Sequence, residues 1–142
     1  MPQIENRKSK IENIAAFLPG MARLQPEALA VVFPKGHRTY ERLTYRELDR
    51  RSDVLARGLL RSGLQRGTRT VLMVKPSLDF FALTFAVFKA GIVPVLIDPG
   101  LGLKQLKTCL GEAEPEAFIG IPPAHAARVL LRWARKTLRL SV

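Results

Sequence analysis

Four apolar, strand-like runs recur in the second half of the chain, at residues 70–74, 93–97, 117–121 and 138–142. Their starts fall roughly every 20 to 24 residues, with a helix-length segment between each pair. Residues 79–90 are apolar and follow Ser77, a good N-cap; residues 103–113 and 124–136 read as the next two helices. Strands separated by whole helices are joined by crossovers rather than hairpins, and so run parallel. Crossovers of this kind are right-handed, which fixes the helices against the sheet. The expected class is therefore α/β, with repeated βαβ units forming a largely parallel sheet.

The second run is the most informative. Lys89-Ala90-Gly91 leads into the continuous apolar stretch 92–97, which ends at Asp98-Pro99-Gly100. A strand apolar at every position reads as central and covered on both faces. Proline cannot continue a central ladder, and glycine frees the turn. Ligands of open parallel sheets bind near such carboxyl ends, so Asp98 is a candidate site residue. The competing and favoured reading makes Asp98 a turn former bonded to nearby amides.

The first half is organised differently. Residues 1–12 read as a flexible tail. Residues 13–25 have helical character interrupted by Pro19-Gly20, with Pro19 able to open a short helix. Residues 28–33 and 37–43 read as a hairpin turning at Pro34-Lys35-Gly36. Thr44 and Glu47 then form a capping box. Leu48, Ser52, Leu55 and Leu59 follow at helical spacing, with Ala56 and Leu60 beside them, and Gly63 stops the helix.

Composition excludes several classes. An apolar content of 47% supports a real core, and no apolar run approaches the ~20 residues that cross a bilayer. The polar N-terminus lacks a signal-peptide core, so the expected compartment is the cytoplasm. The single cysteine, Cys109, excludes an internal disulfide. His37, His125 and Cys109 are too scattered for a zinc site. The net charge is +11, from 23 basic and 12 acidic residues. Solvated helix faces account for it best, because no nucleic-acid signature accompanies the arginines. Nucleic acid, an anionic membrane, or acidic segments outside this chain are the other readings.

No catalytic constellation stands out. The chain has no G-x-x-x-x-G-K-[ST], G-x-G-x-x-G or G-x-S-x-G. Gly100-Leu101-Gly102 before a helix is a weak anion-binding candidate. His125, at a helix start, reads as a surface or capping residue before a general base. Asp79 and Lys75 read as cap and surface charges before a catalytic pair. Cys109 reads as buried filler beside Leu106 and Leu110. Arg128, Arg132, Arg135 and Arg139 form one stripe of a basic amphipathic helix, expected to pack on the sheet rather than lie on a membrane. No catalytic, cofactor-binding or metal residue is assigned.

Three segments carry a resemblance. Leu43-Thr44-Tyr45-Arg46-Glu47-Leu48 resembles the LTYxEL segment of adenylate-forming enzymes, the acyl-CoA synthetases, luciferases and adenylation domains. Gly63-Leu64-Gln65-Arg66-Gly67, with the strand that follows, resembles their G-[IV]-x-x-G-D-x-V segment, with Thr68 in place of the aspartate. Residues 88–99 resemble their LKAGAxxVPIDP motif, the most specific of the three. The resemblance spans residues 13–142. Further stretches, including Val74-Lys75-Pro76-Ser77 and Glu116 to Pro122, are similar to the β-lactone synthetase branch of bacterial long-chain olefin biosynthesis.

The resemblance implies a ligase that uses ATP and Mg²⁺ to turn a long-chain fatty or β-hydroxy acid into an acyl-adenylate. A β-lactone or CoA thioester then follows. The family's phosphate loop, ribose-binding aspartate and catalytic lysine would lie beyond Val142. The expectation is thus an N-terminal portion of such an enzyme, inactive alone, whose partners are the downstream segment and a long-chain acyl substrate. An excised fragment, a truncated reading frame and half of a split gene all fit. Self-association is expected through uncovered apolar surface, with Phe80, Phe81, Phe85 and Trp133 as the suspected residues. The alternative is a non-enzymatic basic module that binds a protein, nucleic acid or membrane surface.

Overall fold

Asn13 caps a short 3-10 turn, Ile14–Ala16, by accepting the Ala15 amide at 2.9 Å. This computed structural model describes residues 13–98, 100 and 102–142. The tail expected at residues 1–12, together with Pro99 and Leu101, lies outside the described residues. The 3-10 turn runs into α1 (Phe17–Leu24), with Pro19 inside the first helical turn rather than opening it. There its missing N–H costs no intrahelical bond.

β1 (Leu29–Gly36) and β2 (Thr39–Thr44) form an antiparallel hairpin. The turn falls later than expected. Pro34 stays in β1 opposite Tyr40, and the chain reverses at His37-Arg38, with Arg38 at φ 62°. A two-stranded ribbon leaves each strand one open edge, where a proline is tolerated.

α2 (Tyr45–Arg61) begins with the expected capping box: the Glu47 amide donates to Thr44 Oγ1 at 3.2 Å, and the Thr44 amide to Glu47 Oε2 at 2.9 Å. Leu43 and Leu48, one on each side of the box, are both buried, as in a hydrophobic staple. The buried stripe is Leu48, Ser52, Ala56 and Leu59; Leu55 and Leu60, expected in or beside the core face, lie at its exposed margin.

The second half alternates as the recurrence demands: β3 (Arg69–Met73), α3 (Leu78–Lys89), β4 (Val93–Leu96), α4 (Leu103–Ala113), β5 (Ala117–Gly120), α5 (Pro122–Leu130) and β6 (Leu140–Ser141). The four strands are parallel, in the order β4-β3-β5-β6. Val71 sits opposite Val95 on one side and Phe118 on the other.

That order corrects one expectation. β4 is an edge strand of the described sheet, and β3 and β5 are central. The crossover through α3 carries the chain to one side of β3, and α4 carries it back past β3. Val93 and Leu96 are accordingly 47% and 61% exposed. The amide of Val93 donates to Thr68 O, so the alternate residues Pro94 and Leu96 turn their main-chain groups to the open edge. Pro94 has no donor to lose there, and it blunts the edge.

Side chains alternate across the sheet. Leu72 and Ile119 face α2 and α3, packing with Ala56, Leu59, Ala86 and Val87. Val71 and Phe118 face the other way, toward Leu106, Leu110 and Ala124 of α4 and α5. A third cluster, around Leu18, Leu43, Leu48 and Ala82, joins the hairpin and α1 to the outer side of α2 and α3. α3 is therefore covered by the sheet on one side and the hairpin on the other, which explains why it is apolar nearly all round.

Two further expectations change. Phe81 and Phe85 are half-buried against the hairpin cluster and Phe80 against the sheet, so they are not the uncovered surface. Trp133 is buried, at 4% exposure. The helix expected to reach residue 136 ends at Leu130 and gives way to turns, with Arg132 at φ 54° and Ala134 at φ 44°. The turns let Trp133 drop into the cluster of Val71, Leu110 and Phe118. Leu130 is left exposed instead.

Candidate functional site

The strand order reverses direction between β3 and β5, so the crevice at their carboxyl ends is the generic ligand position of this architecture. Here the crevice is drawn tight. Ile121 N donates to Met73 O at 3.2 Å, tying the two strand ends together. Pro122 and Pro123 open α5 without N–H groups, and the next two amides, of Ala124 and His125, both donate to Ile121 O. Gly120 makes the closure possible: a Cβ there would lie 2.6 Å from Phe118 Cε1 and 3.2 Å from Met73 O. Across the crevice, Ser77 Oγ accepts the Phe80 amide, and Asp79 puts a carboxylate in the first turn of α3. Engaged amides beside a carboxylate do not make a phosphate cradle.

The sequence candidates do not converge. Asp98 Oδ1 accepts the Gly100 amide at 2.8 Å, the turn-forming role favoured above. Gly102 is the N-cap of α4, and Leu101 of the weak anion-binding candidate lies outside the described residues. Asp79 lies 3.7 Å from Arg51 in an exposed ion pair. His37 is exposed in the hairpin turn. His125 packs its ring edge-on against Phe118, with Nε2 3.1 Å from Val142 O, and so helps seat the end of β6. Cys109 is exposed, not buried filler. The i, i+4 pair Leu106 and Leu110 forms the buried face of α4, and Cys109 falls beside it.

The three resemblance segments do have a geometry in common: each shapes a junction of the scaffold. Leu43 to Leu48 holds the capping box, and its helix-start amides at Tyr45 and Arg46 donate to Ala28 O and Pro26 O. In the second segment Gly63 adopts φ 101°, and Leu64 N returns to Leu59 O, closing α2. Thr68 stands where the pattern has aspartate, and its Oγ1 accepts the Gln65 amide at 3.2 Å, the same turn bond a carboxylate would make. In the third, Gly91 at φ 68° accepts Gly67 N at 2.8 Å, linking two segments far apart in sequence.

Lys89 of the third segment is the residue that sequence reasoning missed. Its ammonium lies 2.6 Å from both Asp49 Oδ1 and Asp53 Oδ1 and donates to Asp49 O at 3.1 Å. The Lys89 side chain is only 12% exposed. The available signal was the acid pair at i, i+4 on the otherwise arginine-rich α2, although arginines of α2 itself, such as Arg50 and Arg57, stand at pairing distance in sequence and hide the need for Lys89.

Residues 20–140 match the model of the AMP-binding enzyme family, and the chain belongs to that family. It is 54% identical to the olefin beta-lactone synthetase of Stenotrophomonas maltophilia and 53% identical to that of Xanthomonas campestris. Each alignment covers 90% of this chain but 24% of the synthetase, so the chain spans about a quarter of their length. The fatty acyl CoA synthetase of Mycobacterium tuberculosis has the same fold in this region, with a TM-score of 0.78 at 24% identity, over 94% of this chain and 26% of that one.

Adenylate formation needs donors around a triphosphate and a cation at the displaced pyrophosphate. Among the described residues no group of three or more His, Cys, Asp or Glu side chains is placed to hold a metal. Asp49 and Asp53 are already bound to Lys89.

Proposed function

We propose that residues 13–142 are the N-terminal structural portion of an ATP- and Mg²⁺-dependent ligase. The whole enzyme would activate a long-chain fatty or β-hydroxy acid as its acyl-adenylate, in the cytoplasm, and release a β-lactone or hand the acyl group to CoA. The observation that carries this reading is the 54% identity to an olefin beta-lactone synthetase across 90% of this chain. The junction residues support it, because a capping box, glycine turns and a lysine clamp fix helices and strands relative to one another, as a scaffold portion must.

The test is a chimera. This chain replaces the matching segment of the Stenotrophomonas maltophilia synthetase, and β-lactone formation is measured. The chimera is expected to keep the parent's activity within about tenfold, the scale of about 1.4 kcal/mol of misplacement. A chimera that folds but forms no acyl-adenylate overturns the proposal. Residues 1–142 alone are expected to give no ATP–pyrophosphate exchange, and Mg²⁺-dependent exchange above a heat-killed control contradicts the inactive-alone part of it.

A further inference from the structure

The arginines at the end of the chain do not form the helical stripe that their spacing implies. α5 stops at Leu130, and the left-handed Arg132 and Ala134 curl the chain back. Arg128, Arg132 and Arg135 consequently line one concavity of about 360 Å³, together with Val129, Trp133 and Leu138. Among the described residues no carboxylate pairs with any of the three arginines, so their guanidinium groups are not occupied by an internal acid.

The wall carries a second, independent signal. Two buried side-chain nitrogens lack an acceptor among the described residues, Arg128 Nε and Trp133 Nε1, and both belong to side chains that line this concavity. A buried donor without a partner is destabilising, so such groups mark places where an acceptor is missing. The Arg128 guanidinium is held over the Phe118 ring at 5.6 Å, which fixes it at the wall.

We propose that this concavity binds the phosphate group of a soluble organic phosphate. Guanidinium forks match phosphate oxygens, and a tetrahedral anion can meet donors arriving from several side chains, where a planar carboxylate meets fewer. Val129 and Leu138 give the other part of the wall an apolar surface for the organic moiety. The site is formed by the end of α5, which carries Arg128 and Val129, and by the turns that follow it, and it does not rest on the ligase reading.

Trp133 is the only tryptophan of the chain and stands in the wall, so its fluorescence reports on occupancy. The chain is titrated with phenyl phosphate and with inorganic phosphate, sodium chloride keeping ionic strength constant. A saturable change is expected for both, with phenyl phosphate binding several-fold more tightly. The double variant Arg132→Gln/Arg135→Gln removes two exposed charges and is expected to weaken binding at least tenfold with an unchanged melting temperature. Arg128→Lys keeps the charge but not the fork, and an intermediate loss is expected. The proposal is overturned if the response does not saturate, if chloride alone reproduces it, or if the double variant binds like the parent. Binding only to phosphatidic acid vesicles, with no response to the soluble phosphates, also overturns it, because the anion then comes from a membrane. Tight duplex DNA binding that survives physiological salt, with no phosphate response, overturns it in favour of a nucleic-acid surface.

Discussion

Lys89, the last residue of α3, reaches Asp49 of α2 twice: its ammonium lies 2.6 Å from the carboxylate and 3.1 Å from the main-chain carbonyl. Asp53, one turn further along α2, completes the clamp at 2.6 Å. α2 and α3 form the layer against one face of the sheet, so this group sets how two successive elements of that layer sit together. Removing the cation leaves two carboxylates side by side, one of them largely shielded from water.

Lys89→Met is therefore expected to destabilise the fold by about 1–3 kcal/mol, between the values typical of exposed and of buried pairs. Urea denaturation measures it. Adding Asp53→Asn to Lys89→Met is expected to recover part of the loss, because it relieves the like-charge contact. Additive losses in the double variant would show that the clamp is not the coupling between the helices.

The glycines separate into two kinds. Gly91 adopts φ 68°, and a Cβ there would lie 2.8 Å from Arg66 Cγ. The Arg66 chain is flexible and can withdraw, so the backbone sets the main cost, and Gly91→Ala is expected to lose about 1–2 kcal/mol. Gly111, inside α4, has open space around its would-be Cβ. Gly111→Ala is expected to gain about 0.5–1 kcal/mol through helix propensity. Opposite signs in parallel thermal melts check the pair.

Much of this fold is legible in the sequence, because its signals are local. Thr44 and Glu47 announce a helix start, Ser77 another, and the strand recurrence announces parallel pairing. Strand order is not local. The run at residues 92–97 has the composition of a central strand, yet β4 lies at the edge because α4 carries the chain back past β3. Composition reports that a strand is apolar, not which neighbour covers it. The end of α5 misleads for a related reason: the arginine spacing continues a helix, while burial of Trp133 favours the turns that replace it. The Lys89 clamp was hidden because its partners lie 36 and 40 residues away. The crevice between β3 and β5 could not be located until the order of the strands was known.

The capping box of α2 gives a pH prediction. The Glu47 carboxyl is held below its ordinary range, first by the Thr44 amide that donates to it, with Thr44 Oγ1 and the Arg51 and Arg50 charges adding to the effect. A carboxyl with a lowered folded-state pKa stabilises the fold above its unfolded pKa. That stability is lost as pH falls through the folded value. Glu47→Gln is thus expected to be less stable than the parent at neutral pH. The difference should close on acidification below the ordinary glutamate range. Melting temperatures of both proteins across that range check the sign, and a gap that persists at the acid end contradicts it. Thr44→Ala, which removes the N-cap hydroxyl, is expected to cost about 1 kcal/mol at neutral pH.

The last prediction concerns surface left uncovered. Leu96 on the open edge of β4 is 61% exposed, Leu130 at the end of α5 is 81% exposed, and Val129 beside it is also exposed. Apolar surface of this kind promotes association when it gathers into patches. The β4 edge offers the Leu96 main-chain groups as well, although Pro94 removes one donor from that row. Residues 1–142 in isolation are expected to bind a hydrophobic dye and to associate with rising concentration in sedimentation velocity. Leu96→Glu and Leu130→Glu change residues with little burial to lose, so each should reduce association while leaving the melting temperature within about 2 °C, the scale of a surface substitution. The double variant should reduce it further, because the two sites lie on different elements. A parent that remains a monomer at every concentration and binds no dye would show that these leucines are ordinary scattered surface residues.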